Sequence, residues 1–381
     1  MKLLVDLQAL QNTSRDRGIG RYMRGLSCGL LRNCPPGNVH FVLNDLFPDH
    51  IDDIIRDFDG LAEPQQFHVF SGAGPTASLD DYNLWRSSAS HMLCEKFIAD
   101  LDPDVFLVGS LFEGGGDNTV VGFGKGDRRH LAAMVLYDLI PLINPDQHIG
   151  SAGARRWYYG KLDEAKKADL LLGISASSCR EAIEHLPEVS DRVHEIGAGA
   201  DESFLAIDKS VLKQSPLARE VLEYHGINRP FIMHTSALDA RKNFEGLIEA
   251  FALLPDNVRK DHQLVLVCKL NPVGHARLHN VIAKCGMTDE DVILTGFVPD
   301  DELRILYANC AIFAFPSFHE GFGLPVIEAM LCGAPAIGSS LSSVPEVVGL
   351  AEAQFDPHDW QDMARLIERG LCDAEFRKRL L

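Results

Sequence analysis

Short apolar runs alternate with longer amphipathic stretches from end to end of the chain, the pattern of a mostly parallel sheet with helices on both faces. In the first half, the runs at residues 3–7, 39–43, 105–108, 133–137 and 170–174 predict strands. In the second half, those at 231–234, 264–268, 292–294, 311–315 and 335–338 do the same. Each set suffices for one doubly wound α/β domain. Between the sets, residues 201–230 are polar and close on Ile227-Asn228-Arg229-Pro230, a break before the next strand. A boundary near residue 205 therefore gives domains 1–205 and 206–381. Two such domains facing one another would set the carboxyl ends of both sheets at a central cleft, the usual place for a substrate.

Composition narrows the class. A length of 381 residues suits two domains, each with its own core. With 46% apolar and 24% charged residues the chain is globular and not disordered. A formal net charge of -18 argues against nucleic acid as the main partner and against broad attraction to anionic membranes. No apolar run approaches the roughly 20 residues of a membrane span, and the run before Gln8 is too short for a signal peptide. A cytoplasmic protein is expected. The nine cysteines include no C-x-x-C pair, which fits a reducing compartment, and no zinc site is expected. Cys268, Cys310 and Cys332 sit in apolar contexts and read as core residues.

Candidate chemistry gathers at strand ends. After the run at 311–315 comes Pro316-Ser317-Phe318-His319-Glu320-Gly321-Phe322-Gly323-Leu324-Pro325, then Glu328. Gly321 and Gly323 permit a tight turn, Pro325 suits the first turn of a helix, and Gly333 suits its stop. Glu320 would stand at the strand's carboxyl end and Glu328 about one turn into the helix. Ligands bind at that edge of a parallel sheet, and the helix N-terminus favours anions. Two carboxylates there suit the hydroxyls of a sugar or ribose; the plain alternative is a pair of solvated glutamates.

Arg241 and Lys242 precede Asn243, a good N-cap, and the apolar stripe Phe244, Leu247, Ile248 and Phe251. Two cations at a helix start suit a phosphate or diphosphate, or are an exposed basic pair. Gly18-Ile19-Gly20 opens a helix patterned by Tyr22, Leu26 and Leu30. Met23 occupies the place of a third glycine, so no dinucleotide fingerprint exists. The loop either approaches a ligand phosphate or sugar closely, or simply needs flexible residues. Tyr137 and Asp138 end a buried run; the acid either orients a hydroxyl or caps the next loop. Phe112-Glu113-Gly114-Gly115-Gly116-Asp117 reads as a mobile loop, and the stretch around Arg155, Lys161 and Lys166 as an amphipathic helix with solvated lysines, or as a surface for an acceptor or membrane. The acid pairs Asp57/Asp59 and Asp102/Asp104 have the spacing of divalent-metal sites but lie in contexts that read as structural. Neither an H-E-x-x-H pair, a G-x-S-x-G elbow nor a P-loop occurs, which removes the commonest hydrolase and NTPase readings.

In this order, these segments resemble a retaining glycosyltransferase of family 4, which has the two-domain GT-B fold. The resemblance spans nearly the whole chain and includes Leu294-Thr295-Gly296-Phe297-Val298-Pro299-Asp300, Leu306-Tyr307, Val344-Pro345-Glu346 and Phe355-Asp356-Pro357. Arg17-Gly18-Ile19-Gly20-Arg21-Tyr22 and Tyr137-Asp138-Leu139-Ile140-Pro141 are most similar to bacterial mannosyltransferases of O-antigen and capsule synthesis. The resemblance implies that the first domain faces the acceptor and the second binds a nucleotide-sugar donor. Arg241 and Lys242 would bind the donor diphosphate, Glu320 the sugar hydroxyls and Glu328 the ribose. Backbone at Gly321, Phe322, Gly323 and Leu324 would face sugar and phosphates, and main chain near Phe297 and Val298 would meet the base. Gly18, Ile19 and Gly20 would close over the phosphates, while Tyr137 and Asp138 would lie on the acceptor and sugar side.

The chain departs from the pattern in three places. Tyr137 stands where many members have histidine, Thr235-Ser236-Ala237 replaces glycines, and the final crossover helices are expected to be absent. The implied reaction moves a hexose, mannose from GDP-mannose, to a growing glycan or lipid-linked glycan without metal or cofactor. Contact with the inner membrane face or an assembly complex is also implied. The alternatives are another activity on nucleotide sugars (a 2-epimerase or a UDP-sugar transferase) and a non-catalytic module of a polysaccharide-assembly complex.

Overall fold

The computed structural model describes residues 1–124, 128–204, 212–213 and 215–381. It divides into two compact units, Met1–Gly199 and Ala200–Leu381; the expected boundary near residue 205 lies outside the described residues. The strands of the first unit are β1 (Leu3–Asp6), β2 (Val39–Asn44), β3 (Phe67–Phe70), β4 (Val105–Val108), β5 (Leu131–Leu136), β6 (Leu170–Gly173) and β7 (Val193–Glu195). They form one parallel sheet in the order β3-β2-β1-β4-β5-β6-β7. The second unit has β8 (Phe231–Thr235), β9 (Gln263–Val267), β10 (Val292–Gly296), β11 (Ile312–Phe315), β12 (Ala336–Ser339) and β13 (Gln354–Phe355). Its parallel order is β10-β9-β8-β11-β12-β13.

Each unit is thus a doubly wound, Rossmann-like layer of helices around a sheet. The central strands read as continuous apolar runs because helices cover both faces: every residue of β1, β9, β11 and β12 is buried. In both units the strand order reverses beside the first strand, between β1 and β4 and between β8 and β11. The crevice outside the carboxyl ends at such a reversal is where ligands bind in open α/β sheets.

Three strands, β3, β7 and β13, go beyond the ten expected. All lie toward the edges of their sheets, where less surface is buried. β3 has accessible His68 and Val69 between buried ends, β7 carries accessible His194 and Glu195, and β13 spans two residues. None could show as an apolar run.

Two expectations are corrected. The Phe112–Asp117 segment is not a mobile rim but a packed loop. The Gly114 carbonyl accepts from the Ser78 amide at 3.1 Å and hydroxyl at 2.8 Å, and the Gly115 carbonyl from the Leu79 amide at 2.9 Å. Gly114 and Gly115 serve close approach. Gly114 has φ +81°, and a Cβ there would stand 2.3 Å from the Thr119 carbonyl oxygen. Lys161 is not solvated. It lies buried on the helix Ala152–Ala165 and donates to the Val121 carbonyl at 2.6 Å. The acid pairs are structural: Asp57 pairs with Arg24 at 2.7 Å, and Asp104 accepts from the Lys2 amide at 2.5 Å. Among the described residues no helix is long and apolar enough to cross a membrane.

Candidate active site

The loops after β8 and β11, which flank the strand-order reversal of the second unit, are tied together. After β8, Asp239 accepts from the Arg241 amide at 3.0 Å and starts a short 3-10 turn, Ala240–Lys242. Asn243 then takes a left-handed conformation, φ 55°, which asparagine tolerates better than most residues. Its side-chain oxygen accepts from the Gly246 amide at 3.2 Å, capping the helix Phe244–Ala252 as expected. Its amide group donates to the carbonyls of Pro316 at 3.2 Å and Pro357 at 2.9 Å, and the Phe318 amide donates to the Arg241 carbonyl at 2.8 Å.

This framework brings Arg241, Lys242 and Glu320 together. Lys242 Nζ donates to Glu320 Oε1 at 2.5 Å, and Arg241 Nη1 donates to Oε2 and to the His319 carbonyl at 3.0 and 2.8 Å. Lys242 and Glu320 are both buried, and the Arg241 side chain is 22% exposed. Burial pushes the Glu320 carboxyl upward, but the cations of Lys242 and Arg241 outweigh it and hold the group at about 2. The three residues carry one net positive charge. Both carboxylate oxygens are already taken, so Glu320 is not the solvated glutamate of the plain alternative. Neither are its cations an exposed pair.

The turn from Glu320 to Gly323 is pinned from the loop after β12. The Glu320 amide donates to Ser342 Oγ at 2.9 Å, while Ser343 Oγ lies 2.9 Å from the Glu320 carbonyl and 2.7 Å from that of Phe322. Ser342 has φ 52°, a left-handed conformation that a serine adopts only under constraint. Gly323, φ 115°, caps the helix Leu324–Leu331, which has Pro325 in its first turn. Glu328 is buried within that helix and accepts from the Tyr307 hydroxyl at 3.1 Å. After β10, Phe297 is exposed and Val298 buried.

The remaining candidates belong to the first unit. Gly18, Ile19 and Gly20 open the helix Gly18–Asn33 after β1. A Cβ on Gly20 would lie 2.2 Å from the Arg15 carbonyl oxygen, so this glycine serves close packing and not mere flexibility. Tyr137 follows β5; its ring meets that of Tyr22 edge-on at 5.5 Å, and its buried hydroxyl has no hydrogen-bond partner among the described residues. Asp138 accepts from the Ile140 amide at 3.0 Å, the capping alternative foreseen for it.

Sequence reasoning missed the residues that hold the site in shape. His234, buried in β8, places Nδ1 3.0 Å from the Ala314 carbonyl and Nε2 3.0 Å from Ser236 Oγ. Burial lowers its pKa to about 3, so the ring is neutral beside Lys242. Ser342 and Ser343 had a usable signal: a run of serines directly after a predicted strand, at the sheet edge where ligands bind.

Residues 223–380 match the family described as "Glycosyl transferases group 1". The chain is 36% identical over its full length to the serotype-specific mannosyltransferase WbdA of Escherichia coli, and covers 45% of that relative. It is 32% identical to the Escherichia coli O-antigen chain mannosyltransferase B, over 57% of this chain and 54% of that one. The chain thus spans about half the length of these curated relatives. The crystal structure of Anabaena Alr3699/HepE in complex with UDP and glucose superposes with a TM-score of 0.67 at 18% identity, covering 100% of this chain and 92% of that one. That likeness concerns the fold, which is GT-B.

Proposed function

Because residues 223–380 match the glycosyl transferases group 1 family and the chain is 36% identical to a mannosyltransferase, we propose that it transfers a hexose from a nucleotide sugar to a bacterial surface glycan with retention of configuration. The donor is GDP-mannose, a choice supported by the names of the mannosyltransferase relatives. The acceptor is a glycan or lipid-linked glycan, met at the cytoplasmic face of the membrane through peripheral or assembly-complex contact. One observation carries the reading: two cations converge on one buried carboxylate at the carboxyl ends of β8 and β11.

A diphosphate entering there exchanges with Glu320 as the partner of Arg241 and Lys242, and frees the carboxylate for sugar hydroxyls. As the bond from the anomeric carbon to the diphosphate oxygen breaks, both electrons leave with the diphosphate. The cations and the N-terminus of the helix Leu324–Leu331 stabilise that charge. The acceptor hydroxyl attacks from the same face and passes its proton to the departing phosphate oxygen, giving the glycoside and GDP. Fixed cations supply the charge stabilisation, so the reading requires neither metal nor cofactor.

Melting curves with GDP, GDP-mannose and UDP sugars test the donor, because a bound ligand raises the melting point by mass action. The largest shift is expected with GDP-mannose; a shift with UDP sugars alone overturns it in favour of a UDP-sugar transferase. Incubating donor without acceptor separates a transferase, which hydrolyses it slowly, from an epimerase, which converts the sugar. Binding with no transfer to any glycan would mark a non-catalytic module.

A further inference from the structure

We propose that His275 and His279, oriented by Asp289, form a binding site for a divalent transition-metal ion of the zinc and nickel class on the surface of the second unit. Both histidines belong to the helix Pro272–Lys284, which buries Leu278 and Ile282 in the core of that unit. Residues four apart in a helix share one face. Here the two ring centroids are 4.2 Å apart and the two Nε2 atoms 3.1 Å apart. His275 is exposed and the His279 side chain is half-buried, so the pair is open to an ion from solution.

On the other side of its ring, His279 Nδ1 lies 2.9 Å from Asp289 Oδ1. A carboxylate only accepts, so Nδ1 donates, and the neutral ring turns a bare lone pair at Nε2 toward His275. A carboxylate behind a histidine is the usual arrangement at a metal, where it fixes the tautomer and makes the ligand more basic. The turn that carries Asp289 is itself tied down. The Thr288 amide and hydroxyl each donate to Asp291 Oδ2 at 3.0 Å, and Gln263 Nε2 donates to the Glu290 carbonyl at 2.9 Å. An ion on the pair therefore fastens the helix to the turn that leads into β10.

The spacing suits one ion. Two nitrogens about 2.0–2.1 Å from a metal stand roughly 2.9 Å apart at a right angle and roughly 3.3 Å apart at a tetrahedral angle. The observed 3.1 Å falls between. Without an ion, His275 Nε2–H donates to His279; an ion replaces that proton, which moves to His275 Nδ1. Among the described residues no group of three or more His, Cys, Asp or Glu could hold a metal, so water completes the shell. Imidazole nitrogens favour zinc, nickel and copper over magnesium, which takes oxygen. Arg277 of the same helix is neutralised by Glu245 at 2.8 Å. A second histidine pair, His40 and His68, has nitrogens 3.1 Å apart, but the charge of Lys2 acts on both rings and opposes a cation. The ion plays no part in transfer, for which Arg241 and Lys242 supply the charge.

The test uses the full untagged chain, freed of metal with a chelator, and isothermal titration with ZnCl2, NiCl2 and MgCl2. Zinc and nickel should each bind at one site per chain, and magnesium should not bind there. His275→Ala and His279→Ala should each weaken zinc binding at least about tenfold. Asp289→Asn should weaken it about tenfold, the low end for loss of an orienting partner, and His68→Ala should leave it unchanged. Zinc should raise the melting point of wild type and not that of His275→Ala; melting in chelator checks that each variant is folded. Wild-type zinc affinity in His275→Ala or His279→Ala overturns the site, as does binding lost in His68→Ala. Wild-type affinity in Asp289→Asn overturns the role given to the carboxylate.

Discussion

Replacing Glu320 with glutamine should weaken the folded protein, spare nucleotide binding and abolish transfer. In the wild type each carboxylate oxygen holds one cation, Lys242 on Oε1 and Arg241 on Oε2. An amide can accept from one of them but turns an N–H toward the other. The carboxyl lies near 2 instead of its ordinary 4.5. Since its pKa is depressed on folding, the associated stability is present above the unfolded value and lost only as pH falls through about 2. At neutral pH it amounts to about 3 kcal/mol, because each tenfold change in proton affinity is worth roughly 1.4 kcal/mol. For a unit of this size that is on the order of 10 °C in melting point.

GDP has no sugar for Glu320 to hold, and its diphosphate can satisfy the two cations that the variant leaves unpaired. The rise in melting point on adding GDP should therefore be larger in Glu320→Gln than in wild type. Transfer, which needs the sugar oriented, should fall at least about 100-fold, the usual scale for losing one preorganised polar contact. Differential scanning fluorimetry with and without GDP, and a discontinuous transfer assay, read all three. A variant that melts like wild type refutes the ion-pair reasoning; one that gains less from GDP refutes the proposed exchange of carboxylate for diphosphate.

Three further outcomes are expected. Burial pushes the Asp6 carboxyl up to about 7, so its contribution is greatest below the unfolded pKa and is lost as pH rises through about 7. Asp6→Asn should therefore gain stability relative to wild type between pH 5 and 8, by about 3 kcal/mol; a difference in melting point that does not change with pH would contradict this. Gly20→Ala drives a Cβ into the Arg15 backbone and should cost about 1–3 kcal/mol, whereas Gly25→Ala, where a Cβ meets nothing within 4 Å, should be neutral or stabilising in the same melts. Ser343→Ala removes the hydroxyl between the carbonyls of Glu320 and Phe322; a loss of about 1–3 kcal/mol and a raised donor KM are expected, and unaltered donor KM would show that the turn holds without it.

The parallel sheets were legible because their central strands are covered on both faces, leaving uninterrupted runs such as Leu264-Val265-Leu266-Val267. β3, β7 and β13 were not, since lateral strands mix exposed and buried positions. At the candidate site, Arg241, Lys242, Asn243, Glu320 and Glu328 could be singled out because charge or capping chemistry at a strand end is unusual enough to notice. Direct pairing of both cations with Glu320 could not be read, because it depends on two loops 78 residues apart meeting in space. The packed state of the Phe112–Asp117 loop was misread for a related reason: three glycines suggest freedom when the close contacts at Gly114 and Gly115 are invisible.

The two strand-order reversals show what distinguishes the proposed ligand site from a fastening built on the same plan. After β11, Glu320 receives partners from the loop after β8; after β4, Glu113 receives them from the loop after β1. Each is a buried carboxylate joining the loops of two neighbouring central strands. The partners of Glu320 are cations, so their removal leaves charge that an incoming anion can satisfy, and the junction can open toward a diphosphate. The partners of Glu113 are hydroxyls and an amide, which hold no charge to offer a ligand. The electrostatics therefore favour exchange at Glu320 and permanence at Glu113, and burial raises the Glu113 carboxyl where cations depress that of Glu320. A sequence motif registers the first because Arg-Lys is conspicuous and passes over the second because asparagine and serine are common in loops.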